Sequence, residues 1–362
     1  RPDLSVTLGT PNACNQCHQE HDAEWAAAAL KKWLQEDGKP EPPPHFGETI
    51  AAGRSDPSRA TPRLIDLAAD QAQPPIARAT ALELIARRLS ESGVQALAAS
   101  LSDPDPTVRL SALEGLQSIE PTQREQLAAG LLSDPIRSIR IAAARLLAPT
   151  HETLRAGPHA AAFDAALAEY RESLDALADR PGSHVGYGLL YSAFGEVEKA
   201  EAAYRDAFRV DPQNVEGRVN LAELLYGQGR TSEAGALLEE SVRLAPERGV
   251  VHEALGRHLV RIKDYDRALV SLAEAARLMP DEAHIHYFYG VALNQLGQFE
   301  KSLTPLTRAH DLEPQNPEYL IGLATICRDN GQWELALDYA NKLAAIDPRY
   351  TGLFTEIEAQ MK

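Results

Sequence analysis

Five prolines stand at positions 212, 246, 280, 314 and 348, separated by one constant interval, and this period limits the fold more than any other feature of the chain. A unit of that length cannot bury a hydrophobic face alone, so it is stable only when neighbours stack on it. With residues 181, 215, 249, 283 and 317 as first positions, position 8 is always small: Gly188, Ala222, Gly256, Gly290 and Ala324. Position 20 is small too, as Ala200, Ala234, Ala268, Ser302 and Ala336, and so are Ala207, Ser241, Ala275 and Ala309 at position 27. Small residues there let two helices of one unit touch, and the proline at position 32 ends the second helix.

The pattern resembles the tetratricopeptide repeat, and residues 181–348 read as five of them. A second, shorter period precedes it. Arginines at 78, 109 and 140 and alanines at 81, 112 and 143 recur at a common spacing, and Leu101-Ser102-Asp103 returns after the same step as Leu132-Ser133-Asp134. Residues 62–150 therefore read as paired short helices that resemble HEAT repeats. The helical pattern at 160–178, within 151–180, reads as a half repeat, and 349–362 as a closing helix. The expected fold class is all-α: an α-solenoid of HEAT-like repeats followed by five tetratricopeptide repeats, with a small N-terminal segment, residues 1–61.

That segment holds the one motif with chemistry in it, Asn12-Ala13-Cys14-Asn15-Gln16-Cys17-His18. Two cysteines two residues apart with a histidine directly after is the spacing that attaches haem c. Cys14 and Cys17 would form thioethers to the vinyl groups, and His18 would be the proximal iron ligand. The other readings are a redox or structural disulfide. A structural zinc site is disfavoured, because it needs four ligands and Cys327 is the only cysteine left. Residues 1–18 otherwise read as irregular, and His21–Glu36 as a helix whose Trp25 and Trp33 either wall a haem edge or pack the helix onto the next domain. Met279 and Met361, the only methionines, lie far away in sequence. His45, in the proline-rich run from Lys39 to Gly47, is accordingly the candidate distal iron ligand, against a ligand from elsewhere or an open position. Residues 48–61 read as a short helix and linker.

The net charge of −16 argues against nucleic acid, whose phosphates are held by Lys and Arg. Residues 151–362 carry 21 basic and 33 acidic side chains, a field that either steers a basic partner or only maintains solubility. No stretch is long and apolar enough for a membrane span. In tetratricopeptide arrays the groove is lined by positions 2, 5, 9 and 12 of each first helix, which here include Tyr226, Arg257, Tyr287, Asn294 and Arg328. That mixture suits a segment of a partner protein, or else is the surface of a spacer. No hydrolase or phosphate-loop motif occurs, so an enzyme is not expected.

Residues 10–48, with their Cys14–His18 motif, Glu24–Leu30 and Pro44-His45-Phe46-Gly47-Glu48, look like the last haem segment of the multihaem c-type cytochromes that continue into HEAT-like and tetratricopeptide repeats. The resemblance implies covalent haem c, export to the periplasm or exterior, and electron transfer with other cytochromes or a redox membrane complex. The alternative function is a scaffold for protein interactions without redox chemistry.

Overall fold

The computed structural model describes residues 1–40, 42–314, 316–346 and 348–361, and among these there are helices and turns but no strand. The fold is an α-solenoid. Two compact units divide the chain, residues 1–170 and 171–362.

The first unit opens with two helices where an irregular segment was expected. Pro2 sits in the first turn of helix Pro2–Leu8, where its missing N–H costs nothing. Gly9 ends the helix at φ 68° with its N–H bonded to the Ser5 carbonyl, a left-handed cap that glycine adopts freely. The Asn12 side chain then caps helix Ala13–Cys17 by accepting from the Asn15 N–H, satisfying a donor the helix leaves over. Asp22 caps helix Ala23–Glu36 in the same way, starting it two residues later than the sequence reading. Residues 48–61 contain no linker: helix Phe46–Ser55 runs directly to Pro57–Ala69, and the shared boundary residue Asp56 caps the second by accepting from the Arg59 N–H.

The helices that follow, Pro75–Ala86, Glu91–Ser100, Pro106–Gly115, Pro121–Ala128 and Arg137–Leu147, form the HEAT-like array. Its periodic arginines are explained by a ladder of ion pairs. Arg78 bonds Asp103, and both side chains are almost wholly buried. Arg109 reaches Asp134 with a fork of two bonds, Nε at 2.8 Å and Nη2 at 3.0 Å, while its Nη1 donates to the Asp103 carbonyl at 2.8 Å. Arg140 repeats the fork on Glu169 at 2.9 and 2.6 Å and donates to the Asp134 carbonyl. The aspartate that closes one Leu-Ser-Asp turn is thus the partner of the arginine from the unit before. Burial pushes the Asp103 carboxyl up, but hydrogen bonds from Gln71, the Asp105 N–H and Arg78 together outweigh it and hold it below its ordinary value. The linker expected near His151 is a short helix, His151–Ala156.

The second unit is five helix pairs. Helices Pro181–Ala193, Val215–Gly227, Gly249–Arg261, Ala283–Gln295 and Pro317–Asp329 are the A helices of repeats one to five. The B helices are Val197–Val210, Thr231–Leu244, Tyr265–Leu278, Phe299–Leu312 and Trp333–Ile346, and Thr351–Met361 follows them. In repeats one, three and four the glycine at position 8 faces a large residue at position 24. A Cβ on Gly188 would collide with the Tyr204 ring, one on Gly256 would stand 2.6 Å from Leu272, and one on Gly290 2.5 Å from Leu306. Position 4 does a second job: the His184, His252 and His286 rings bond the carbonyls of Ala178, Pro246 and Pro280, which occupy position 32 of the turn before. The turn between A and B needs a left-handed residue at position 15. Gly195, Gly229, Gly297 and Gly331 supply it at no steric cost, and Lys263 adopts it at φ 62°. Cys327 is fully buried among Ala324, Ala336, Ala340 and Ile357, and burial pushes its thiol up to about 11.

Candidate functional site

Helix Ala13–Cys17 is short, and its pitch puts Cys14 and Cys17 one turn apart. Both thiols are free, Cys14 half-buried and Cys17 exposed. His18 follows as the C-cap, its N–H bonded to the Cys14 carbonyl. Its ring is 54% exposed, with Nδ1 3.6 Å from the Glu20 carboxylate and no partner at Nε2 among the described residues. A histidine whose Nδ1 faces a carboxylate and whose Nε2 is open is set up as a metal ligand. The residues at this motif therefore fit a covalent haem.

Trp25 is 37% and Trp33 58% exposed, and the helix buries Ala26 instead. Trp25 stacks with the His21 ring at 4.1 Å and lies 5.1 Å from that of His18. Two half-open tryptophans on a helix beside an open Cys-x-x-Cys-His motif make an apolar surface of the kind that receives a ligand or partner. His21 is committed to this stack.

His45 is placed differently from the expectation of a free distal ligand. It is the N-cap of helix Phe46–Ser55, and its Nδ1 accepts from the Gly47 N–H at 3.1 Å while the Glu48 carboxylate reaches back to accept from the His45 N–H, a reciprocal capping box. An imidazole that accepts at Nδ1 carries its proton on Nε2, so in this pose it has no lone pair for iron. Ligation by His45 requires the cap bond to open. The ring instead lines a cavity of about 240 Å³ with Phe46, Arg63, Asp66, Leu67 and Asp70 among its walls. Among the described residues no three His, Cys, Asp or Glu side chains gather as a metal site.

The second candidate is the face lined by the A helices. The five residues expected there are all engaged within the unit. Tyr287 packs against Gly322 and the Tyr319 ring. Asn294 accepts from the Asn330 amide at 2.9 Å, and Arg328 pairs with Asp329 and Glu356. The Tyr226 ring lies under the Arg261 guanidinium at 4.5 Å with its hydroxyl buried and unpartnered. Arg257 is ion-paired twice, at longer distances. It stands 3.7 Å from Glu253 and 3.9 Å from Glu223, and 5.7 Å over the Phe288 ring. Both carboxylates are thus beyond hydrogen-bond reach. Around it Arg261 bonds Glu223 at 3.1 Å, and His284 lies 3.2 Å from Glu253. The Glu253 hydrogen bond raises the His284 pKa above its ordinary value. Leu189 and Val250, 47% and 43% exposed, are the open apolar residues of this face that its sequence positions 9 and 2 had marked. Sequence reasoning missed Arg261, which sits at position 13, outside the expected lining.

Comparison with known proteins places both arrays. Residues 185–248, 253–317 and 295–351 match the Tetratricopeptide repeat model, and residues 61–148 match HEAT repeats. Neither matched model is that of a haem protein. No curated protein matches the chain. Among solved structures, YrrB, described as a TPR protein with an unusual peptide-binding site, is 19% identical over 52% of this chain and 96% of its own, with a TM-score of 0.44. MamA from Desulfovibrio magneticus RS-1 is 20% identical over 47% of this chain and 96% of its own, with a TM-score of 0.43. The chain carries tetratricopeptide and HEAT repeats, and no helix among the described residues is long and apolar enough to cross a membrane.

Proposed function

We propose that the chain is a non-enzymatic scaffold for protein interactions, in which the A helices of its tetratricopeptide array receive an extended segment of a partner protein. The observation that carries this reading is the half-open face itself, with Leu189 and Val250 exposed, on a stack of helix pairs of the kind that grips peptides. Displaying random peptides against the purified chain tests it. Enrichment of peptides whose binding is lost with Leu189→Asp or Val250→Asp supports the reading; enrichment of none removes it.

A second reading rests on a different observation, the free Cys14 and Cys17 with the open Nε2 of His18 beside exposed Trp25 and Trp33. In it the same chain is an extracytoplasmic c-type cytochrome, periplasmic or extracellular, and the solenoid docks it to other cytochromes or a redox membrane complex. Haem c, when bound, would supply a one-electron centre. Cys14 and Cys17 would anchor it, His18 would ligate iron, and Trp25 and Trp33 would shield its edge. Because thioether bonds survive denaturation, a haem stain on a denaturing gel of chain made in a host that matures c-type haem decides this. Cys14→Ser with Cys17→Ser must abolish the stain. A low-spin ferrous spectrum that turns high-spin in His45→Ala would assign the distal position to His45, with its cap bond opened; an unchanged spectrum would leave His45 as a helix cap.

A further inference from the structure

Asn15 stands between the two cysteines of the N-terminal motif, and every polar group of its side chain is used. Its Nδ2 donates to the His21 carbonyl at 2.8 Å and to the Asp22 carbonyl at 3.0 Å, while its Oδ1 accepts from the Asn12 amide at 2.8 Å. A side-chain amide has two N–H donors, and the two carbonyls take both. Asn12 also donates to the hydroxyl of buried Ser5 at 2.9 Å. A line of hydrogen bonds thus runs from helix Pro2–Leu8 through the cysteine turn to the loop 18–22, which is closed by the His21 N–H on the His18 carbonyl at 3.2 Å. Asp22 extends it by one step, because its carboxylate accepts from the Trp25 N–H at 2.8 Å. The rings of His18 and His21 accordingly stand 5.1 and 4.1 Å from that of Trp25. All of these bonds are the chain's own, and none consumes the Cys14 or Cys17 thiol or the His18 ring.

Resting on the haem reading, we infer that Asn15 is the positioning residue of the Cys14-Cys17-His18 site, and that this site is built before any thioether exists: the folded chain seats haem noncovalently through His18 and Trp25, and the cysteines then secure a group already in place. The reason is entropic. A loop that had to be ordered by its ligand would cost binding free energy for each residue fixed. Here residues 18–22 are ordered by Asn15 and Asp22 during folding, so His18 and Trp25 are presented together at no further cost. Cys14 and Cys17 would each add their S–H across a vinyl double bond, sulfur to one carbon and hydrogen to the other, a step that consumes no oxidant or reductant. Asn15 touches none of the reacting atoms and acts through the loop that it holds.

The experiment titrates hemin into the full chain carrying Cys14→Ser and Cys17→Ser, where no thioether can form, and reads the Soret band and the tryptophan fluorescence. The expected result is a saturable one-to-one complex with the spectrum of histidine-ligated haem, lost with His18→Ala. Adding Asn15→Ala should weaken it tenfold or more, and so should Asn15→Asp, which keeps the acceptor for Asn12 but removes both donors. Asn214→Ala removes a comparable cap far along the chain, the bond from the Gly217 N–H, and should leave hemin affinity unchanged; circular dichroism at the titration temperature confirms that each variant stays folded. Hemin bound by Asn15→Ala as tightly as by its parent, or bound regardless of His18→Ala, overturns the inference. So does a chain that takes up no hemin yet stains for covalent haem when matured in its host, and in that case the haem reading survives. Neither stain nor complex overturns both.

Discussion

The HEAT-like array and the tetratricopeptide array face the same problem, stacking short helix pairs so that each covers the next, and they solve it with different forces. In residues 62–150 the register between units is set by buried ion pairs, Arg78 to Asp103 and Arg109 to Asp134. In residues 181–348 repeats one, three and four are closed by shape, a glycine at position 8 receiving a large side chain from position 24. A buried ion pair is directional and intolerant of losing one member, because the other is left charged and unsolvated. A small-to-large contact is softer, since neighbours can shift by fractions of an ångström. The two arrays should therefore differ in how steeply they fail.

The largest effect is expected from Arg109→Ala. It strands Asp134 in the interior and should cost about 3 to 5 kcal/mol, seen in guanidinium melts as loss of the HEAT-like array before the rest. If its cost is no larger than that of an exposed pair, the ladder does not hold the array. Gly256→Ala is the matching test of the second array: its new Cβ would stand 2.6 Å from Leu272, an overpacking cost of about 1 to 3 kcal/mol. Gly256→Ala combined with Leu272→Ala should cost less than the sum of the two single changes, because the new Cβ fills space the leucine leaves. Smaller and opposite in sign is Lys263→Gly, which restores the residue of the other four turns and should stabilise the protein by about 1 kcal/mol.

The smallest effects are pH-dependent and separate two histidines of neighbouring repeats. His284 has its pKa raised by the hydrogen bond to Glu253, so its contribution is present below the ordinary histidine value and is lost as pH rises through the raised one. His258 is lowered, first by burial and then by Arg261 and Arg267, so it favours folding above its ordinary value and costs stability as pH falls below it. Denaturation midpoints of His284→Gln should fall below those of the parent at pH 5.5 and converge with them at pH 8. Those of His258→Asn should lose less than the parent on acidification. Parallel curves for the two variants would show that neither environment acts as described.

Much of this was legible because repeats write their packing into spacing. The position 8 glycines were recognisable before their partners Tyr204, Leu272 and Leu306 were seen, and the arginines at 78, 109 and 140 announced a period without revealing their purpose. Their partners were present in the sequence as well, in the Leu-Ser-Asp turns, but a contact between two different units leaves no mark in local pattern. At the N-terminus the motif was readable and the backbone was not. Pro2, Gly9 and Asn12 are turn residues in composition, and only their positions at helix ends make them caps. His45 shows the same limit, because a cap and a metal ligand use the same ring, and the hydrogen bond at Nδ1 is what distinguishes them.

The sequence by itself determined the helical class, the two periods and the Cys14-Cys17-His18 spacing, since each is a local rule of backbone geometry or covalent reach. Only the tertiary structure decided which of the groove residues are spent on neighbours. Tyr287 and Asn294 are consumed by contacts with the following repeat, Arg328 by one with the closing helix, and Arg257 by ion pairs with Glu223 and Glu253, whereas Leu189 and Val250 are left exposed. Whether a polar group is free depends on what the fold brings against it, and that is a property of the stacked array and not of any one repeat.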